Sequence, residues 1–252
     1  MVITKIKNRF IAKFNKIIFE KFPLSVVENG EARERWLECQ LKSLPDGIRI
    51  LDAGAGELDK KKYCDHLEYV SQDFAQYDGV GDGNGLHMGT WDQSKIDIVC
   101  DIISMPIEND SFDAAICIEV LEHLPNPVAA ITELVRILKP GGILIITAPF
   151  NSLTHFAPYH YCSGFNKYWY EEHFKKLGVS EVKISPHGNY HASVFQELGR
   201  VPSILDEYNL PPLSNVERWA QRILLSRLSK VANRDMDSHA LACFGYNVVV
   251  RK

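Results

Sequence analysis

Carboxylates stand at the ends of short apolar runs in the first half of this chain, and glycines follow the first of them. The run Ile48-Arg49-Ile50-Leu51 ends in Asp52 and leads into Ala53-Gly54-Ala55-Gly56-Glu57. Two glycines in such a turn let the main chain approach a ligand closely. A dinucleotide-binding turn would read G-x-G-x-x-G, but Asp59 occupies the third glycine's place. Glu57 and Asp59 would repel a pyrophosphate at the start of the following helix, so the turn suits a ligand with cationic groups, a sulfonium and an ammonium. Asp73 closes the next apolar run, where a carboxylate can accept from both hydroxyls of a ribose. Asp101 closes a third, where it can accept from an exocyclic amine while the N–H of Ile102 donates to a ring nitrogen. Each acid, taken alone, would serve equally well as a turn or capping residue.

A second group lies further on. Glu119-Val120-Leu121-Glu122-His123-Leu124 follows a fourth apolar run. After a fifth comes a segment from Pro149 that holds His155, Tyr159, His160 and Tyr161, two histidines and two tyrosines within seven residues. Histidine titrates near neutrality and suits a general base that takes a proton from a hydroxyl. His155 or His160 is the candidate base, with Tyr159 and Tyr161 as walls or hydrogen-bond donors; the same residues could instead only pin a long loop to the sheet. His123 reads as a packing or capping histidine. No metal is expected: Asp78, Asp82 and Asn84 lack the ligand spacing of a calcium loop, and the six cysteines form no C-x-x-C pair.

The elements that must position these groups follow from hydrophobic period. Strands are expected at 48–52, 67–73, 96–101, 112–118, 143–148, 179–185 and 244–250. Helices are expected at 3–22, 31–43, 127–138 and 166–177, the last ended by Gly178. Pro127 sits in the first turn of its helix, and Lys139-Pro140-Gly141-Gly142 reads as a turn that stops it. Residues 78–85 read as a flexible loop. Residues 190–240 read as a helical insertion with an amphipathic stretch at 216–231. Strands alternating with helices predict an α/β fold with a mostly parallel sheet covered on both faces. Two domains are expected, a helical segment at 1–44 and a sheet domain at 45–252.

The order and spacing of these motifs resemble the class I methyltransferase superfamily, in its methyltransferase type 11-like branch, with its D-x-G-x-G turn, E-H-L stretch and L-K-P-G-G turn. The resemblance covers roughly 45–187 and returns at the final strand. It implies a Rossmann-like seven-stranded sheet with the last strand antiparallel, and S-adenosylmethionine as cofactor. It further implies that Gly54, Gly56 and the backbone near Ala53 cradle the methionine part, and that Asp52 orients that loop and the amino group. Asp73 would bind ribose, Phe74 pack on adenine, Asp101 and Ile102 read the adenine edge, and Glu119 line the methionine end. One position departs: Leu58 stands where a third glycine is common, which implies a tighter or differently packed turn.

The loop after the fifth strand is similar to those of methyltransferases of surface-polysaccharide and natural-product assembly, which implies O-methylation of a sugar or other small-molecule hydroxyl. The alternatives are a protein or nucleic-acid methyltransferase and a non-catalytic cofactor-binding protein. The formal net charge of -4 argues against nucleic acid as a partner. The residues after the fourth strand also lack the Asn/Asp-Pro-Pro-Tyr/Phe motif of amine methylation. Without an apolar span or secretory signal, a cytoplasmic location is expected. The lysine-rich helix at 3–22 would be a lid over the cofactor or a peripheral contact with an anionic membrane.

Overall fold

The computed structural model describes residues 2–25 and 27–252, with side chains described from residue 11 onward apart from Val26. Ile3, Ile6 and Phe10 of the expected apolar stripe, with Lys5, Lys7 and Arg9, therefore lie outside the described side chains. The chain forms two compact units, one of residues 30–187 and 245–252, the other of 1–29 and 188–244.

The first unit is built on β1 (Arg49–Ala53), β2 (Glu68–Asp73), β3 (Ile98–Val99), β4 (Phe112–Ile118), β5 (Leu138–Pro149), β6 (Glu181–His187) and β7 (Gly245–Arg251). They form one sheet in the order β3-β2-β1-β4-β5-β7-β6. β1 to β5 pair in parallel, and β7 runs antiparallel between β5 and β6. The order reverses at β1 and β4, so their carboxyl ends flank the crevice where open sheets of this kind bind ligands.

Burial is nearly continuous along the central strands, as a sheet covered on both faces requires. Leu37 and Leu41 of α2 (Gly30–Lys42) pack on Ile50, Ala114, Ile116 and Ile145. The intervening Leu51, Ala115, Cys117, Leu144 and Ile146 are equally buried on the opposite face. α3 (Pro127–Ile137) begins where the Asn126 side chain accepts from Ala129 N at 3.1 Å, with Pro127 in the first turn. α4 (Lys167–Leu177) begins at Asn166, whose side chain accepts from Trp169 N, and ends at Gly178 with φ 67°.

The structure departs from the sequence expectation at four places. No α-helix follows the glycine turn: Leu58 is left-handed at φ 65°, which breaks helical continuation, and only a 3₁₀ turn at Lys61–Tyr63 follows. β3 is two residues long. β5 starts at Leu138, which pairs with Phe112; pairing resumes at Ile143 with Ala114, so the expected turn at 139–142 is a bulge within the strand. The loop at 78–85 is tied to the segment after β5, with Asp82 N donating to Ala157 O at 3.1 Å, Leu86 N to Thr154 O at 3.1 Å and Phe156 N to Leu86 O at 3.0 Å.

The second unit holds α1 (Val2–Lys21), α5 (Tyr190–Glu207) and α6 (Asn215–Ala232). α1 packs on α6: Phe14 meets Trp219 at 4.6 Å, and the Trp219 indole N–H donates to Asn15 Oδ1 at 2.6 Å. The Arg222 guanidinium lies 4.6 Å over the Phe19 ring. Among the described residues, no helix is long and apolar enough to cross a membrane.

Candidate active site

Every side chain of the site belongs to the sheet unit. The glycine turn after β1 is held by β2: Gly54 N and Ala55 N donate to Gln72 O at 2.8 and 2.9 Å. Gly56 N donates to Asp73 Oδ2 at 2.9 Å, while Asp73 Oδ1 accepts from Ala75 N at 2.9 Å and Gln93 Nε2 at 2.8 Å. Asp73 is thus the post around which the turn is wrapped, and it lines the cavity with Oδ2 able to accept once more. Gly54 has φ 77°, and a Cβ there would lie 2.4 Å from Val120 Cγ2. The turn needs glycine both for its backbone and for the close approach of Val120.

Asp52 is 2% exposed and accepts from the Tyr69 hydroxyl at 2.6 Å. Burial pushes its carboxyl up to about 6, against the lowering effect of the Tyr69 hydrogen bond. Asp101 Oδ1 accepts from Ile103 N at 3.1 Å, and Ile102 is buried beside it. Glu119, just past β4, has φ 56° and takes a 3.0 Å ion pair from Arg33 of α2. A non-glycine residue in that region carries strain that persists where its surroundings over-determine it.

These groups border one cavity of about 700 Å³. At one end stand Asp52, Gly54, Gly56, Asp73, Phe74, Asp101, Ile102 and Glu119; at the other stand His123, His155, Phe156, Tyr159 and Tyr161. Ala53 is fully buried behind the turn. Phe74 meets the Tyr159 ring edge-on at 4.9 Å, joining the two ends. Of the two candidate bases, His155 lines the cavity; His160 is not among the lining residues, and its Nδ1 is buried without a hydrogen-bond partner.

The two histidines at the cavity have defined tautomers. His123 Nδ1 lies 2.6 Å from the Tyr159 carbonyl and His155 Nδ1 2.8 Å from the Leu153 carbonyl. A carbonyl can only accept, so each Nδ1 carries a proton, and in the neutral ring the lone pair lies on Nε2. Burial drives His123 down to about 3, with the neighbouring His155 adding to the shift. Behind them Glu122 is 1% exposed, and burial raises its carboxyl well above the usual carboxylate range. Tyr161 N and Cys162 N donate to the Glu122 carbonyl at 2.8 and 3.1 Å, which fixes the histidine-bearing segment against the end of β4.

The sequence reading missed Arg33, Trp91 and Gln93, all of which line the cavity. Arg33 lies on a helix before the first strand, and Trp91 and Gln93 on a loop with no period to mark them. The acid end fits the expected cofactor. Its glycine cradle would be filled by a Cβ, and its carboxylates match a sulfonium and an ammonium. A dinucleotide pyrophosphate finds no helix N-terminus at this turn.

Residues 64–146 match the family model described as a methyltransferase domain. The chain is 33% identical over 193 residues to a ubiquinone biosynthesis O-methyltransferase of Xanthomonas oryzae pv. oryzae, covering 73% of each chain. It is 35% identical over 111 residues to a tRNA (carboxymethyluridine(34)-5-O)-methyltransferase of Arabidopsis thaliana, where the match covers 42% of this chain and 25% of that relative. In fold it is similar to a SAM-dependent methyltransferase from Archaeoglobus fulgidus, with TM-score 0.53 and 18% identity over 95% of this chain and 100% of that one. A Haemonchus contortus phosphoethanolamine N-methyltransferase 2 with bound S-adenosylhomocysteine gives TM-score 0.51 and 16% identity over 93% of this chain and 56% of that one.

Proposed function

The chain belongs to the class I S-adenosylmethionine-dependent methyltransferases, and from that premise we propose that it methylates a hydroxyl oxygen on a ring-bearing small molecule, a sugar among the candidates. When bound, the cofactor supplies a methyl group on a positively charged sulfur, so the chemistry left to the chain is to position an acceptor and take its proton.

The observation that carries the reading is the two-ended cavity. Carboxylates and glycine backbone gather at the carboxyl ends of β1 and β2, and lone-pair histidine with flat aromatic faces stands beyond β4 and β5. We assign the methionine part to Gly54, Gly56 and Asp52, with Glu119 at its end. The ribose goes to Asp73, and the adenine to Phe74, Asp101 and Ile102. On the acceptor side, His155 lines the cavity with Nδ1 tied to the Leu153 carbonyl, which leaves Nε2 of the neutral ring to receive a hydroxyl proton. Phe156, Tyr159 and Tyr161 offer faces for a ring. The similarity to an O-methyltransferase along most of the chain supports oxygen as the acceptor atom. The net charge of -4 favours a small molecule over RNA.

The test is transfer of a labelled methyl group to a panel of hydroxylated sugars and phenols, amines and bulk tRNA. Label on the oxygen of a hydroxylated small molecule is expected. Label only on an amine or on tRNA would overturn the reading.

A further inference from the structure

Three histidines from two separate stretches of the sequence meet at the acceptor end of the cavity. His123, His155 and His160 each offer a ligand atom, and these atoms all lie within 4.8 Å of one another. The ring centroids of His123 and His155 are 4.6 Å apart, and those of His155 and His160 4.8 Å. The carboxylate of Glu122 faces the same point, its Oε1 3.8 Å from His123 Nε2 and 3.9 Å from His155 Nε2.

The polarity of this cluster is unusual. In the neutral rings both Nε2 atoms carry the lone pairs, because each Nδ1 donates its proton to a carbonyl. One carboxyl oxygen of Glu122 therefore stands beside both Nε2 atoms at distances too long for hydrogen bonds. Glu122 Oε2 and His160 Nδ1 are buried and have no hydrogen-bond partner. Buried polar atoms left without partners in this way are unfavourable unless a bound group satisfies them.

We propose that His123, His155, His160 and Glu122 bind a divalent transition-metal ion of the zinc class at the acceptor end of the cavity. Three imidazoles and one carboxylate suit zinc and its neighbours, whereas magnesium and calcium prefer all-oxygen sets. The backbone carbonyls behind His123 and His155 are the outer partners that fix the tautomer of a ligating histidine. Zinc–nitrogen bonds of about 2.1 Å hold tetrahedral ligands roughly 3.4 Å apart, a closure that side-chain rotation supplies.

The role of the ion rests on the hydroxyl-acceptor reading; the site itself does not. An acceptor hydroxyl bound to the ion would lose its proton to solvent water and keep its electron pair on the metal-bound oxygen. In the metal-bound protein His155 holds the ion, and the base role assigned to it above passes to solvent water.

The experiment titrates chelator-stripped full-length protein with Co²⁺ alone and follows its visible absorption. One Co²⁺ per chain with a nitrogen-ligand spectrum, displaced by Zn²⁺, is expected. His155→Ala and His160→Ala should each weaken Co²⁺ binding by at least about tenfold, the lower bound for loss of even an outer partner. Cofactor binding measured on the same samples reports whether the variants are folded. Absence of stoichiometric Co²⁺ binding by the wild type, or unchanged affinity in both folded variants, overturns the site. Equal methylation by stripped and Zn²⁺-loaded protein overturns the ion's role. Metal bound as expected with no methylation of any hydroxyl supports the site and removes the acceptor reading instead.

Discussion

Asp52 and Gly54 carry the sharpest expectations for single residues. The Asp52 carboxyl is pushed up to about 6 by burial, so below that pH it takes a proton and no longer opposes the cofactor's ammonium group with a charge. Cofactor affinity is therefore expected to fall as pH drops through about 6, approaching tenfold per unit. Calorimetry at several pH values between 5 and 8 checks this, and an affinity flat across that range contradicts it. The linkage to stability has the opposite sense. A carboxyl raised from 3.8 contributes stability below pH 3.8 that is lost as pH rises to about 6 in the ligand-free protein. At Gly54, alanine meets Val120 at 2.4 Å on a backbone with φ 77°; Gly54→Ala should weaken cofactor binding at least tenfold by displacing the turn, roughly 1.4 kcal/mol or more. Asp52, Asp73 and Asp101 could be found in the sequence because a strand end marks each. The Arg33–Glu119 pair could not, since nothing local to either residue points across the 86 positions between them. Nor could the meeting of His123 with His155 and His160, which needs the carbonyl of Glu122 to hold the later segment.

At the scale of elements, periodicity and caps were reliable and loops were not. β4 was expected at 112–118 and is found at Phe112–Ile118, because apolar residues buried on both faces leave no ambiguity of extent. α6 matches its amphipathic stretch and begins with a capping box, Ser214 N donating to Glu217 Oε2 at 2.7 Å and Glu217 N to Ser214 Oγ at 3.4 Å. Ser214→Ala is expected to cost about 1 kcal/mol, or a 2–4 °C lower melting temperature in a chain of this size. An unchanged midpoint would mean the cap contributes nothing. The departure at Leu58 marks the turn as unusual, but the loss of the helix after β1 is not legible, because a leucine does not announce a left-handed backbone. Residues 78–85 read as a flexible loop, since their glycines signal turns. The loop's hydrogen bonds to the 154–157 backbone lie beyond any local pattern.

At the scale of the molecule, the sequence suggested a helical segment at 1–44 ahead of a sheet domain. The contacts group α2 with the sheet and α1 with α5 and α6. We propose that α1 does not act as a membrane anchor: Ile18 is buried, and Phe14 and Asn15 are engaged with Trp219. Wild type and the Lys13→Glu/Lys16→Glu double variant should float equally with anionic vesicles; flotation by wild type alone would make the helix a membrane contact. The central claim is that the acid end of the cavity holds S-adenosylmethionine through Asp73, and calorimetric titration of wild type and Asp73→Asn tests it most directly. An amide at position 73 sets a donor against the N–H of Gly56 or against Ala75 and Gln93. Stoichiometric binding of S-adenosylmethionine by wild type, weakened at least about tenfold in the variant, is the predicted result for loss of a charged hydrogen-bond acceptor. No binding by wild type, or equal binding by the two proteins, would contradict it.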